Sequence, residues 1–214
     1  MSRLPKAVAA IGIPLAWSNL VRPGLGLGPR GRSAANAGFA TAYALAFGGA
    51  PNWLSTKGFR YGAVSAALVA AGYGAALAVP SARKGLAAAA DRAPDVPIAE
   101  WVGVHIPIGT VYSEELVFRG TLEPVLDHAF GPAAATVIGS ATFGLWHIHP
   151  ARATGDSVPL TVAVTAAGGL VFGWLRRRTA SATAPALLHL ATNVGGALAP
   201  QCARHQSRWR AHAH

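Results

Sequence analysis

The sequence predicts an all-α fold, a polytopic transmembrane bundle of about six to seven membrane helices around a buried polar cavity. Three observations predict it. Hydrophobic residues fill 52% of the 214 positions and charged residues only 12%, about half the charged share of a soluble domain. The apolar residues fall into runs that approach the roughly 20 residues a helix needs to cross the hydrocarbon. Between the runs stand Gly, Pro and most of the basic residues, as in loops that meet lipid headgroups.

Taken in order, the first run covers 7–21, after Arg3 and Lys6. It starts like a signal peptide, yet no small-x-small site follows, so it is read as a retained segment, spanning or interfacial. Further runs cover 34–54, 61–79, 98–118, 132–147, 159–175 and 182–198. Backbone groups in lipid must be satisfied within their own segment, which makes these helices rather than open strands. Trp17, Trp53, Trp101, Trp146, Trp174 and Trp209 fall mostly near segment ends, where interfacial anchors sit. The stretch 80–97 is the longest polar connection. It divides N-terminal helices (1–97) from a core (98–200) that holds the interesting polar residues, and a basic tail occupies 201–214.

The formal net charge is +10, which in a soluble protein would raise nucleic acid as a partner. Here the cations sit between apolar runs, at Arg22, Arg30 and Arg32, at Lys57 and Arg60, at Arg83, Lys84 and Arg92, and at Arg176, Arg177 and Arg178. The partner they predict is the lipid bilayer, not a nucleic acid. The location that follows is the cell membrane, with a multi-pass topology. Lys and Arg counts on alternate loops nearly tie and give no orientation. Cys202 is the only cysteine, so neither an internal disulfide nor a Cys-based zinc site can form.

An ionisable residue inside a spanning helix costs about 2.5–3.5 kcal/mol and is a functional candidate for that reason. Three places carry such residues. Glu114 and Glu115 end the 98–118 run. Adjacent helical residues point about 100° apart, so the two carboxylates cannot share one role. Arg119 follows Glu115 by four, the favourable order for an ion pair on one face. Glu114 is then left without a cation on its own helix, and a desolvated, unpaired carboxylate is a group suited to general-base work. His147 closes the 132–147 run, four residues after Phe143. His189 and Asn193, at i and i+4, share one face of the last run. Each site alone has a bland reading: a solvated helix end, a capping His, a pair that glues helices. Together they put a carboxylate, two imidazoles and a carboxamide on three helices of one half of the chain. Arg119, Glu123 and Asp127 are expected in or near a loop, His149 in a loop before Pro150, and His105 is a weaker candidate for the pocket wall.

The order Glu114-Glu115-x-x-x-Arg119, then Phe143-x-x-x-His147, then His189-x-x-x-Asn193 resembles the CPBP family of membrane proteins. That family joins type II CAAX prenyl endopeptidases with bacteriocin-processing and immunity-type proteins. The resemblance covers about 98–200 and implies a glutamate-dependent intramembrane endopeptidase that cleaves a peptide or membrane-associated protein. Carried over to this sequence, it implies that Glu114 and His147 activate water and that His189 and Asn193 stabilise the oxyanion. Glu115, Arg119 and Phe143 are structural support in this reading.

No cofactor is expected. Zinc is the alternative, because one Glu and two His can make a three-ligand catalytic site; against it, no His-Glu-x-x-His motif is present and Asn is a poor fourth ligand. A different class is a membrane carrier or immunity module without turnover, since intramembrane Glu and His also build proton relays.

Overall fold

Prolines mark where several helices begin, and left-handed residues mark where others end. Pro29, Pro80, Pro132 and Pro159 each stand in a first helical turn, where a missing N–H costs nothing. Gly48 and Gly155 close their helices with φ of 75° and 73°, a conformation that glycine adopts without steric cost. The computed structural model describes residues 3–92 and 95–212. It comprises α1 (Arg3–Gly24), α2 (Pro29–Phe47), α3 (Thr56–Ala78), α4 (Pro80–Ala89), a helical rod over 98–130 (α5), α6 (Pro132–Trp146), α7 (Ile148–Thr154), α8 (Val158–Thr179) and α9 (Thr183–His212). No strand occurs among the described residues. The all-α bundle holds.

Three expectations about connections change. Part of the 80–97 stretch is helical, because Ala87 to Ala90 are strong helix formers. It packs on α9, where Gln201 Nε2 donates to Ala90 O at 3.2 Å. The expected loop after Phe118 does not form either; α5 continues to Phe130, carrying Arg119, Glu123 and Asp127 with it. His149 lies in α7 rather than in a loop. Positions 201–212 of the basic tail prolong α9, and 213–214 lie outside the described residues.

Rod α5 is not evenly wound. Trp101–Tyr112, which contains Pro107, and Phe118–Leu122 take the wider π form. Proline interrupts the ordinary ladder because it has no N–H, and π turns concentrate at such places and at functional sites. Two hydroxyls follow the wider register. Ser113 Oγ donates to Ile108 O, and Thr121 Oγ1 to Leu116 O, both at 2.8 Å and five residues back. The short α stretch Ser113–Val117 between the two wide segments carries Glu114 and Glu115.

The distribution of side chains is inside-out for a water-soluble protein. Glu114, Glu115, Arg119, Glu123, His105 and His189 are all buried, while Leu45, Leu54, Phe59, Leu68, Leu160 and Val164 are exposed. Charged residues are among the least often buried in soluble proteins, whereas in a bundle surrounded by lipid they turn inward. Helices α1, α3 and α8 are long and apolar enough to cross a membrane. Close packing of α6 on α8 rests on glycine. A Cβ at Gly144 would lie 2.7 Å from Val162 O, and one at Gly169 3.1 Å from Ser140 Cα. Small residues of this sort let membrane helices approach closely. That approach brings Phe143 of α6 beside Phe172 of α8, with ring centroids 6.0 Å apart.

Candidate active site

Glu114 lies at the centre. It is 6% exposed, and its two oxygens have different surroundings. Oε1 accepts a hydrogen bond from Trp146 Nε1 at 3.2 Å. Oε2 has no hydrogen-bond partner among the described residues; His189 Nε2 stands 3.8 Å from it and His147 Nε2 3.9 Å. The two imidazoles come from different helices and converge on one carboxylate oxygen of a third.

Each ring is fixed from behind. His147 sits just past the end of α6, and its Nδ1 lies 2.8 Å from Phe143 O, one turn back. His189 Nδ1 lies 2.8 Å from Glu115 Oε1, and its ring stacks on Phe172 with centroids 5.0 Å apart. A carbonyl and a carboxylate can only accept, so Nδ1 carries the hydrogen in both rings. In the neutral rings the lone pair is then on Nε2, the atom turned toward Glu114. Asn193 lies one turn after His189, and its Nδ2 donates to His189 O at 3.0 Å. One of its two amide hydrogens is used there, and the other remains for a ligand. The structure thus brings Glu114, His147 and His189 into one cluster and puts Asn193 on the wall of the adjoining cavity.

Residues 97–195 match the family described as type II CAAX prenyl endopeptidase, Rce1-like. The match covers a little under half of the chain and supports its membership of this protease family. Together with the long apolar helices it supports an integral membrane protein. Neither the curated proteins nor the solved structures gave a significant match to the chain. The matched stretch contains Glu114, Glu115, Arg119, Phe143, His147, His189 and Asn193, and stops short of both ends of the chain.

Beside the Glu114 cluster lies a second group of charges, buried at Glu115, Arg119 and Glu123 and half-buried at Asp127, Arg176 and Arg177. Arg119 Nε stands 3.6 Å from Glu115 Oε2 and 3.4 Å from Glu123 Oε1. Arg176 Nε bonds Glu123 Oε2 at 2.7 Å, and its Nη2 bonds Asp127 Oδ2 at 2.6 Å. Arg177 Nη1 takes Asp127 Oδ1 at 2.6 Å. The Arg119 guanidinium also lies over the Phe143 ring, 4.4 Å from its centroid, where a cation meets the negative face of the π system. The expected Glu115–Arg119 pair is present, but it is the looser of the contacts Glu115 makes; the short one goes to His189. Arg176 and Arg177 lie in the last turn of α8 rather than in a loop, and Glu123 and Asp127 do need an account: they face those half-buried guanidiniums.

The N-terminal helices also reach the site, which patterning alone did not reveal. Ser18 Oγ donates to Trp146 O at 2.7 Å. Asn19 Nδ2 donates to Leu145 O at 3.0 Å, and its Oδ1 accepts from His149 N at 2.9 Å. These bonds bind α1 to the turn that carries His147. Trp146 is 1% exposed, so it is a buried donor to Glu114 and not an interfacial anchor. The sequence signal that could have found Ser18 and Asn19 is the one that found Asn193, a polar residue in an apolar run. A cavity of about 550 Å³ opens in front of Glu114, lined also by His147, Asn193, His105, Arg22 and Arg32. It adjoins another of about 640 Å³ that shares Arg32, Trp101, Thr154 and Asn193. His105 is part of this wall, with Nδ1 2.7 Å from Ser33 Oγ and Nε2 3.1 Å from Glu100 Oε1. Among the described residues no group of three or more His, Cys, Asp or Glu is set to hold a metal ion.

Proposed function

We propose that the chain is a multi-pass intramembrane endopeptidase of the cell membrane that uses Glu114 and His147 to activate water against a peptide bond. The observation that carries this reading is the Glu114 carboxylate: buried, bonded through Oε1 only, with Oε2 facing two imidazole Nε2 atoms beside a polar cavity. A water hydrogen-bonded to Oε2 and to the lone pair of His147 Nε2 gives one proton to the carboxylate as its oxygen attacks the carbonyl carbon. The proton then passes to the leaving amine as the C–N bond breaks, leaving a free amine and a carboxylic acid that gives its own proton to solvent.

His189 and Asn193 steady the oxyanion of the tetrahedral intermediate. With Nδ1–H committed to Glu115, His189 donates from Nε2 only as the doubly protonated ring, while His147 accepts only as the neutral one. Glu115, Arg119 and Phe143 hold the two rings and do not touch the reacting atoms. The substrate is a peptide or a membrane-associated protein, in keeping with the protease family matched and with a site set beside a cavity in a bundle of apolar helices.

Comparative proteomics of membranes carrying the wild type or Glu114→Ala tests the reading. A precursor that accumulates with Glu114→Ala and is shortened by the purified wild type is the expected result. Identical proteomes, with cleavage of that precursor retained in Glu114→Ala, would sink it.

A further inference from the structure

We propose that Arg22 and Arg32 form an anion subsite beside Glu114 that takes a carboxylate carried by the substrate peptide. Arg22 stands near the end of α1 and Arg32 in the first turns of α2, both outside the stretch 97–195 that matches the family. Both line the same cavity as Glu114, His147 and Asn193. Neither guanidinium has a hydrogen bond or ion pair with any described residue.

Other arginines of the molecule do meet acids. Arg30, two residues before Arg32, is exposed and still holds Glu100 through two bonds of 2.7 and 2.9 Å. Arg119, Arg176 and Arg177 face Glu115, Glu123 and Asp127, and Arg204 takes Asp91 at 2.9 Å. Arg22 is half-buried, and the charges it feels are Glu114 and Arg32. It makes no direct pair with Glu114, so the carboxylate keeps its free Oε2. The wall of this cavity sets two guanidiniums near one acid, Glu114, while Asp95 and Asp156 stand in the adjoining cavity that Arg32 also lines.

A guanidinium offers a planar fork of N–H donors that matches a carboxylate in two parallel bonds. A substrate carboxylate seated there would orient the scissile bond over Glu114, the kind of positioning that separates a good substrate from a poor one. The carboxylate has two sources, the C-terminus of the peptide or an acidic side chain near the scissile bond. The subsite rests on the endopeptidase reading for its purpose, while its binding can be measured without turnover.

The test uses the full chain in lipid nanodiscs and a library of fluorescent decapeptides in four forms: free C-terminus, amidated C-terminus, Asp at an internal position, and Asn at the same position. Binding is read on Glu114→Gln and cleavage on the wild type. The expected result is about tenfold tighter binding of one charged form over its neutral partner, the scale of a charge-assisted hydrogen bond. Arg22→Gln and Arg32→Gln should each shrink that ratio toward one, and Arg22→Lys should keep part of it. Whichever pair discriminates, terminal or side-chain, identifies the source. Equal binding of charged and neutral forms overturns the subsite. So does a ratio that ignores both arginine variants, or one that changes with anionic lipid content instead of with the arginines, which would assign them to headgroup phosphate. Discrimination in binding without any cleavage by the wild type would retain the subsite and reject the endopeptidase; cleavage without discrimination would do the reverse.

Discussion

Glu114 and Glu115 are neighbours in the chain, and α5 turns them into two different environments. Around Glu115 the bundle is closed: three carboxylates, Glu115, Glu123 and Asp127, face three guanidiniums, Arg119, Arg176 and Arg177. Around Glu114 it is open: among the described residues no lysine or arginine stands within ion-pair distance, two imidazoles face Oε2, and a cavity lies in front. Buried charges left unpaired are expensive, and pairing is how a bundle tolerates them. The closed group therefore belongs to stability. The open one has no such compensation, and reactivity is the role proposed for it. His189 connects the two, bonded to Glu115 through Nδ1 and turned toward Glu114 through Nε2.

Several substitutions would break or sharpen this comparison. Glu114→Gln removes the proposed base and should lower kcat about 10²- to 10⁴-fold, the range of a positioned general base, measured on the precursor found by proteomics. Glu115→Gln touches both groups at once. It should lower kcat about 10- to 100-fold by loosening His189, an effect of the size seen when groups behind a reactive side chain are lost. The same variant should also lose thermal stability, because Arg119 is left with less negative charge around it. Arg119→Met leaves Glu115 and Glu123 without their shared cation and should cost about 3–5 kcal/mol of stability, read by denaturation in detergent. Trp146→Phe deletes the donor to Oε1 and, at a position 1% exposed, also one ring of the buried indole. A loss of about tenfold in kcat is expected, in line with one hydrogen bond to a charged group, together with about 1–3 kcal/mol of stability lost to the cavity. Smallest of all, a chelator in the assay should leave the rate unchanged, since no step derived for these residues uses a metal.

Much of this was legible in the sequence, for identifiable reasons. Long apolar runs dictated helices because lipid admits little else, and α6 begins at Pro132 and ends one residue before His147, close to where the run was drawn. Glu114, His147 and His189 stood out because polar groups in apolar helices are rare. What stayed hidden depended on three-dimensional pairing. The i, i+4 rule pointed Glu115 at Arg119, yet the shorter contact is with His189, 74 positions away. Local spacing cannot register that. Trp146 looked like an anchor because segment ends usually lie at the interface, whereas the end of α6 is tied into the bundle by Ser18 and Asn19. Arg176 and Arg177 looked like loop cations because their acids, Glu123 and Asp127, lie on another helix.

The central claim is that these adjacent acids divide reactivity from stability. The most direct test measures kcat and the thermal midpoint together for the wild type, Glu114→Gln and Glu123→Gln in the same lipid. The account predicts that Glu114→Gln loses turnover with its midpoint unchanged, and that Glu123→Gln loses several degrees while the folded fraction still cleaves. Turnover retained in Glu114→Gln, or turnover lost in fully folded Glu123→Gln, would contradict it.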